Sequence, residues 1–282
     1  MNDSSQKNPL VHPLILEGLP EDIEWGREHV RGALPRLEGD IQLSLLSSVT
    51  YELGVKLVLS GPDGLNEAGQ MLGLAGNLDA FIVYLALFPR GEKELEMILH
   101  DSVVRPTTGP NSTAHTGRWM RAFYLNLLWR NAVVIDNVLL RDYTSTLQAS
   151  STWSPPYRYA QMAALRAVYE DSPDALRLIH EAWNSVETPW DGEEHEDMLI
   201  RTELAGSEIA VLTQIHLGDE AGLNRDVAYG LRSHQRYYER TEDLQDSVGA
   251  WISLPLLGLC ALAKWRGMTI TVQSPFLPLD LI

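Results

Sequence analysis

The sequence predicts a mainly α protein: antiparallel helical hairpins packed in one domain, with solenoid-like stacking as an open variant, and a small β element. Three observations lead there. Apolar residues recur every three to four positions along most of the 282 residues. Short turn signals such as SGPDG, EDSPD and HLGDE separate these runs, so that neighbouring helices run antiparallel. A hydrophobic content of 45% is enough to fill a core without disulfide or metal staples. No fixed-length repeat accompanies the helices, so a solenoid would rest on hairpin stacking alone.

Taken in order, helices are expected over 21–33, 36–59 and 65–88. ELEMILHDSVV at 94–104 reads as extended, and the Pro/Thr/Gly-rich run that follows is a surface loop. Its span, 105–117, is the one candidate boundary in a chain otherwise read as a single domain over 1–282. Beyond it, Trp119/Met120, Phe123/Tyr124, Leu127/Leu128, Ile135 and Val138/Leu139 form one buried stripe. A helix at 156–170 is followed by SPDALRLIHEAWNSV, where Ser172 is a capping residue and Pro173 takes the first helical position. Helices over 193–216, 220–240 and 248–266 come next, and MTITV at 268–272, after the helix-ending Gly267, is a second extended candidate.

Cys260 is the single cysteine and lies in the apolar run WISLPLLGLCALAKW, which excludes an intrachain disulfide and suggests a buried, inert thiol. The first twenty residues lack the charged start and continuous apolar stretch of a secretory signal. The apolar run itself is too short to span a bilayer and contains Pro255, so a core helix of a cytoplasmic protein is expected. A net charge of −16 repels phosphate backbones and anionic membranes, and it suits a basic protein partner.

Chemistry is hard to find. No histidine follows a glutamate by three positions, as a helical metal site would require. His180-Glu181 leads to Asn184 and His195-Glu196 to Leu199, where a zinc protease would place a second histidine. There is no Gly-x-Ser-x-Gly and no phosphate-binding glycine loop with lysine. No catalytic residue, metal or cofactor is therefore expected. A helical-repeat scaffold for another protein partner is one alternative. An all-helical hydrolase with paired carboxylates is another, since no spacing rule would expose such a pair.

The charge is unevenly placed. Between residues 170 and 208 twelve acidic residues stand against Arg177 and Arg201, ten of the sixteen excess negative charges. At the centre, PWDGEEHEDML carries five carboxylates around His195. Asp191 and Glu194 have the spacing of a capping box, and Glu193, Glu196 and Asp197 would complement the positive end of the helix dipole. Capping accounts for one or two of these acids and leaves the rest of the patch for a basic partner. Trp190, Asp191, Glu193, Glu194, Glu196, Asp197 and Glu203 are the candidate partner-binding residues. Trp119, Trp183 and Trp251 fall on apolar stripes and are expected in the core; Trp153 and Trp190 sit in loops beside proline. Trp190 would either anchor an interface or pack over its own loop.

The ending, SVGAWISLPLLGLCALAKWRGMTITVQSPFLPLDLI, resembles that of the Immunity protein 49 family of bacterial polymorphic toxin systems. The elements shared are Trp251, the apolar run to Ala263, Arg266-Gly267, Thr269 to Val272, and Ser274 to Pro278. RWMRAFYLNLLWRN and YRYAQMAALRAVYEDSPDALRLIHEAW are similar to that family's helices in order, so the resemblance runs from about 114 to the end. It implies a cognate antitoxin that occupies a toxin domain and blocks it. It brings no motif for toxin contact, so the acidic candidates rest on charge alone. Toxins acting on nucleic acid must attract phosphate and are often basic, which makes a cytosol-acting nuclease the expected target. NAD-consuming, nucleotide-modifying and deaminase toxins stay open.

Overall fold

A computed structural model describes residue 11 and residues 13–34, 40–98 and 102–282. The described chain is mainly helical with one two-stranded hairpin, and it divides into two compact units, one built on residues 17–154 and the other on 155–280.

The first unit takes in α1 (Pro13–Ala33) from Glu17 onward, and the helix begins eight residues before the expected 21. Leu19 and Ile23 are buried with Val30, so the apolar stripe continues upstream through Pro20. α2 (Asp40–Leu59) and α3 (Leu65–Ala86) pack closely, and α4 (Thr116–Leu128) packs on α3. Positions 36–39 of the expected second helix lie outside the described residues. Leu43, Leu46, Leu53, Leu57, Leu78 and Phe81 are buried, as are Trp119 and Phe123 on α4. Two helical glycines permit the approach: a Cβ at Gly54 would lie 2.7 Å from Leu72 Cγ, and one at Gly76 2.8 Å from Leu125 Cβ.

β1 (Glu94–Ile98) and β2 (Ser102–Pro106) pair antiparallel with Glu94 opposite Pro106 and Ile98 opposite Ser102. His100 and Asp101 lie outside the described residues. The stripe expected to run unbroken to Leu139 is interrupted after α4. Arg130 adopts φ 50°, Asn131 N–H donates to Asn126 O, and Arg130 N–H donates to Leu127 O, the paired bonds that close a helix end. α5 (Ala132–Val134) then continues into a π-helical turn over Ile135–Leu139, and α6 (Thr144–Gln148) follows.

In the second unit α7 (Pro156–Tyr169) packs on α8 (Ala175–Glu187). Ser172 Oγ accepts from Asp174 N at 3.3 Å, but the regular helix starts at Ala175 with no side-chain cap, two residues later than the Ser-Pro signal suggests. α9 (His195–Leu199) runs through a π-helical turn (Ile200–Ala205) into α10 (Gly206–Leu217). α10 packs on α8, on α11 (Glu220–Tyr238) and on α14 (Leu254–Trp265).

The helix expected over 248–266 is divided. α12 (Glu242–Gln245) precedes α13 (Val248–Trp251), and the chain extends at Ile252 before α14 begins with Pro255 in its first turn. Proline supplies no N–H to a preceding turn, and Ser253 N–H turns instead to Phe276 O at 2.9 Å. Cys260 is buried in α14, where burial pushes its thiol up to about 12.

Residues 268–272 form no strand. Their backbone is held by side chains of α11: Thr269 N–H donates to Glu220 Oε2 at 2.8 Å, Thr271 N–H to Asn224 Oδ1 at 2.6 Å, and Asn224 Nδ2 to Thr269 O at 2.8 Å. Side chains thus fill the role of a partner strand. Among the described residues no helix is long and apolar enough to cross a membrane.

Candidate partner surface

The acidic loop starts where α8 stops. Thr188 is extended, Gly192 takes φ 81°, and Glu193 N–H donates to Trp190 O at 3.1 Å to close a turn. Helix α9 then begins at His195 with Glu194 in the capping position and no side-chain cap bond. The Asp191–Glu194 capping box is therefore not formed. The left-handed Gly192 puts a turn between the two residues, and Asp191 is left exposed outside the helix.

Glu193 has a different task. Its carboxylate accepts from Arg201 Nε at 2.5 Å and Nη2 at 2.7 Å, with side-chain exposures of 7% and 4% for the two partners. The hydrogen bonds from Arg201 hold the Glu193 carboxyl below the usual carboxylate range, against the opposing effect of burial. Arg201 Nη1 also donates to Val186 O at the end of α8. The guanidinium lies over the Trp190 ring at 5.9 Å, and Trp190 stacks on Tyr157 at 5.8 Å. Trp190 is half-buried and packs over its loop, on the α7 side. Trp119 and Trp251 are in the core as expected, Trp183 is half-buried, and Trp153 is 63% exposed.

Most of the remaining carboxylates have partners too. Glu196 pairs with Arg240 at 3.0 Å and Glu203 with Arg236 at 3.3 Å. Asp171 pairs with Arg266, and Arg177 bridges Asp174 and Glu181. Glu208 is buried and accepts from Gln161 Nε2 at 2.5 Å. Arg236, Arg240 and Arg266 come from outside the 170–208 segment, so three of its ten excess charges are met in space. Among the described residues Glu170, Glu187, Asp191, Glu194 and Asp197 have no ion-pair partner, and the first four are exposed. The open acidic surface is thus the 188–194 loop with the residues that flank it, Glu187 at the end of α8 and the start of α9, and Glu170 apart at the end of α7.

A second surface escaped the sequence reading. Arg225, Tyr229, Arg232 and Arg236 recur at helical spacing along α11 with Arg240 just past its end, and all are exposed. Tyr229 is 51% exposed, with the Arg232 and Arg236 guanidiniums each 5.9 Å from its ring. Tyrosine and arginine together are the usual anchors of protein interfaces. The spacing was visible in the sequence, but attention to net charge hides a basic stripe on an acidic chain. α11 packs along the π-helical turn at Ile200–Ala205, so this stripe flanks the acidic loop's own helix.

Reactive groups are absorbed into packing. His234 is buried, its Nε2–H donates to Ala250 O at 3.0 Å, and burial pushes it down to about 4. Among the described residues no three His, Cys, Asp or Glu side chains are grouped to hold a metal ion.

The family comparison defines the class. A family model matched over residues 65–281 makes this an immunity protein of a toxin system, a class that implies toxin neutralisation and whose members are typically non-enzymatic inhibitors. The chain belongs to the Immunity protein 49 family. The match begins at the first residue of α3, well before the resemblance near 114, and so takes in the hairpin and the 105–117 loop. No curated protein and no solved structure matches the chain.

Proposed function

We propose that this protein neutralises its cognate toxin by stoichiometric binding in the cytoplasm, and that residues 1–282 act as one immunity-type domain. The observation that carries the reading is family membership over 65–281, a span that draws on both compact units. Within the candidate set, Asp191, Glu194 and Asp197 present charge to the toxin. Trp190, Glu193, Glu196 and Glu203 shape that surface through their contacts with Tyr157, Arg201, Arg240 and Arg236.

The toxin is a basic, cytosol-acting nuclease. A protein that must attract phosphate carries a positive face, and an acidic inhibitor competes for it and collects on it rapidly at low salt. A pull-down from the native strain with tagged protein tests the reading. The expected result is a stoichiometric partner whose expression alone kills cells and whose killing this chain suppresses. Recovery of generic chaperones alone would overturn the antitoxin reading, and a toxic partner that leaves nucleic acid intact would overturn the nuclease assignment.

A further inference from the structure

The two edges of the β1–β2 hairpin differ. Thr107 N–H donates to Lys93 O at 2.9 Å and Gly91 N–H to Thr107 O at 2.7 Å, which fixes the hairpin at its base. Bonded and non-bonded positions alternate along an antiparallel pair, so Leu95 with Arg105 and Met97 with Val103 are the bonded pairs that follow. The backbone groups of Glu94, Glu96 and Ile98 on β1, and of Ser102, Val104 and Pro106 on β2, therefore point outward.

The β2 edge is blunted. Pro106 has no N–H to offer, and Val104 O already accepts from Arg105 Nη1 at 2.6 Å. The β1 edge is open: no described residue bonds the outward backbone groups of Glu94, Glu96 or Ile98. These three side chains are exposed, Ile98 to 74%, while Met97 is buried and holds the strand against the unit. Neither glutamate has an ion-pair partner among the described residues. Glu96 accepts from Ser102 Oγ, and the Lys93 ammonium sits over the Phe88 ring, 3.4 Å from its centroid.

We propose that the outer edge of β1 is a docking site for an extended protein segment with basic residues at alternate positions, which adds to the hairpin as a third strand. Backbone bonds to Glu94, Glu96 and Ile98 supply affinity, and the side chains on the exposed face supply selection. Running antiparallel to β1, the added strand reads apolar-x-basic-x-basic, its apolar residue opposite Ile98 and its basic residues opposite Glu96 and Glu94. The same glutamates turn away a second copy of this chain. In the β1-to-β1 register that uses all three positions Glu96 meets Glu96, and like charges directly opposite are destabilising. That the strand is the toxin's rests on the antitoxin reading; the edge itself does not.

The test adds the peptide Thr-Val-Thr-Lys-Thr-Lys-Thr, blocked at both ends, to the 15N-labelled full chain, with a control peptide carrying glutamate in place of lysine. The expected result is saturable shifts and slowed hydrogen exchange at the Glu94, Glu96 and Ile98 amides, the control binding at least about fivefold more weakly. Glu94→Lys together with Glu96→Lys should reverse that preference. Glu96→Pro removes an outward donor and no hairpin bond, and should abolish binding; if it does not fold, the charge-reversed variant decides. Equal binding of the two peptides, shifts confined to other residues, or amides already protected in the free chain would overturn the site. Protection that grows with protein concentration alone would give the edge to a second copy and overturn it equally. A toxin that binds wild type and Glu96→Pro alike would overturn the toxin's use of the edge and leave the antitoxin reading standing.

Discussion

Glu193 and Arg201 face one another fork to fork, at 2.5 and 2.7 Å, with both side chains buried beneath the start of α9. The pair ties the acidic loop to the π-helical turn and, through Val186 O, to the end of α8. Removing one member leaves the other buried and unpaired. Arg201→Ala should therefore lower the unfolding free energy by about 3–5 kcal/mol in urea titration. Because the folded-state pKa of Glu193 is lowered, its contribution is complete above the ordinary value of 4.5 and is lost as pH falls through the folded value. Acid titration should thus flatten for Arg201→Ala below about pH 4.5 relative to wild type.

Charge reversal separates the two kinds of carboxylate. Lysine at Asp191, Glu194 and Asp197 together should leave the unfolding midpoint nearly unchanged, since these three have no ion-pair partner among the described residues. It should weaken toxin binding tenfold or more, which is about 1.4 kcal/mol, and reduce its salt dependence. Lysine at Glu193 should instead destabilise the fold. Equal affinity for the triple variant and wild type, measured by calorimetric titration, would remove the loop from the interface.

His234 sets a stability slope in weak acid. Its ring lies 4.7 Å from Tyr238 and 5.3 Å from Phe276, and its folded pKa of about 4 is below the unfolded value of 6.5. The unfolded chain binds more protons between these values. Stability is therefore complete above pH 6.5 and falls by roughly 3 kcal/mol as pH drops towards 4. His234→Phe should have a lower stability at neutral pH, because Ala250 O loses its donor, and a shallower slope between pH 6.5 and 4 in thermal unfolding scans.

Helix spacing in the first unit is set by missing side chains. A methyl group at Gly76 would meet Leu125 Cβ at 2.8 Å and Asn126 Nδ2 at 3.1 Å, so α3 and α4 would have to separate. Gly76→Ala should cost about 1–3 kcal/mol despite the better helix propensity of alanine. A gain in stability by chemical denaturation would mean that this contact is looser than its geometry.

The helices over 156–170, 193–216 and 220–240 match α7, the continuous run from α9 to α10, and α11 to within a few residues. Where the reading failed, a long-range contact decided. The 268–272 segment has strand-forming residues, but Asn224 and Glu220 take its backbone bonds before any strand can. The capping box at Asp191 and Glu194 has the right spacing, and one left-handed glycine between them breaks it.

The sequence by itself determined the helical class, the membership legible in its C-terminal packing residues, and the inert setting of Cys260. These follow from periodicity and composition, which each segment carries locally. Only the tertiary structure decided which charges remain open. Arg236 reaches Glu203 across 33 residues, Arg266 reaches Asp171 across 95, and Arg118 and Arg121 reach Asp79 across 39 and 42. Charge compensation depends on distance in space, and counting along the chain does not measure that distance. The apparent acidic run from 170 to 208 therefore separates into paired carboxylates and the open ones at Glu170, Glu187, Asp191, Glu194 and Asp197, while the surplus of positive charge around Asp79 emerges only once α2, α3 and α4 are packed together.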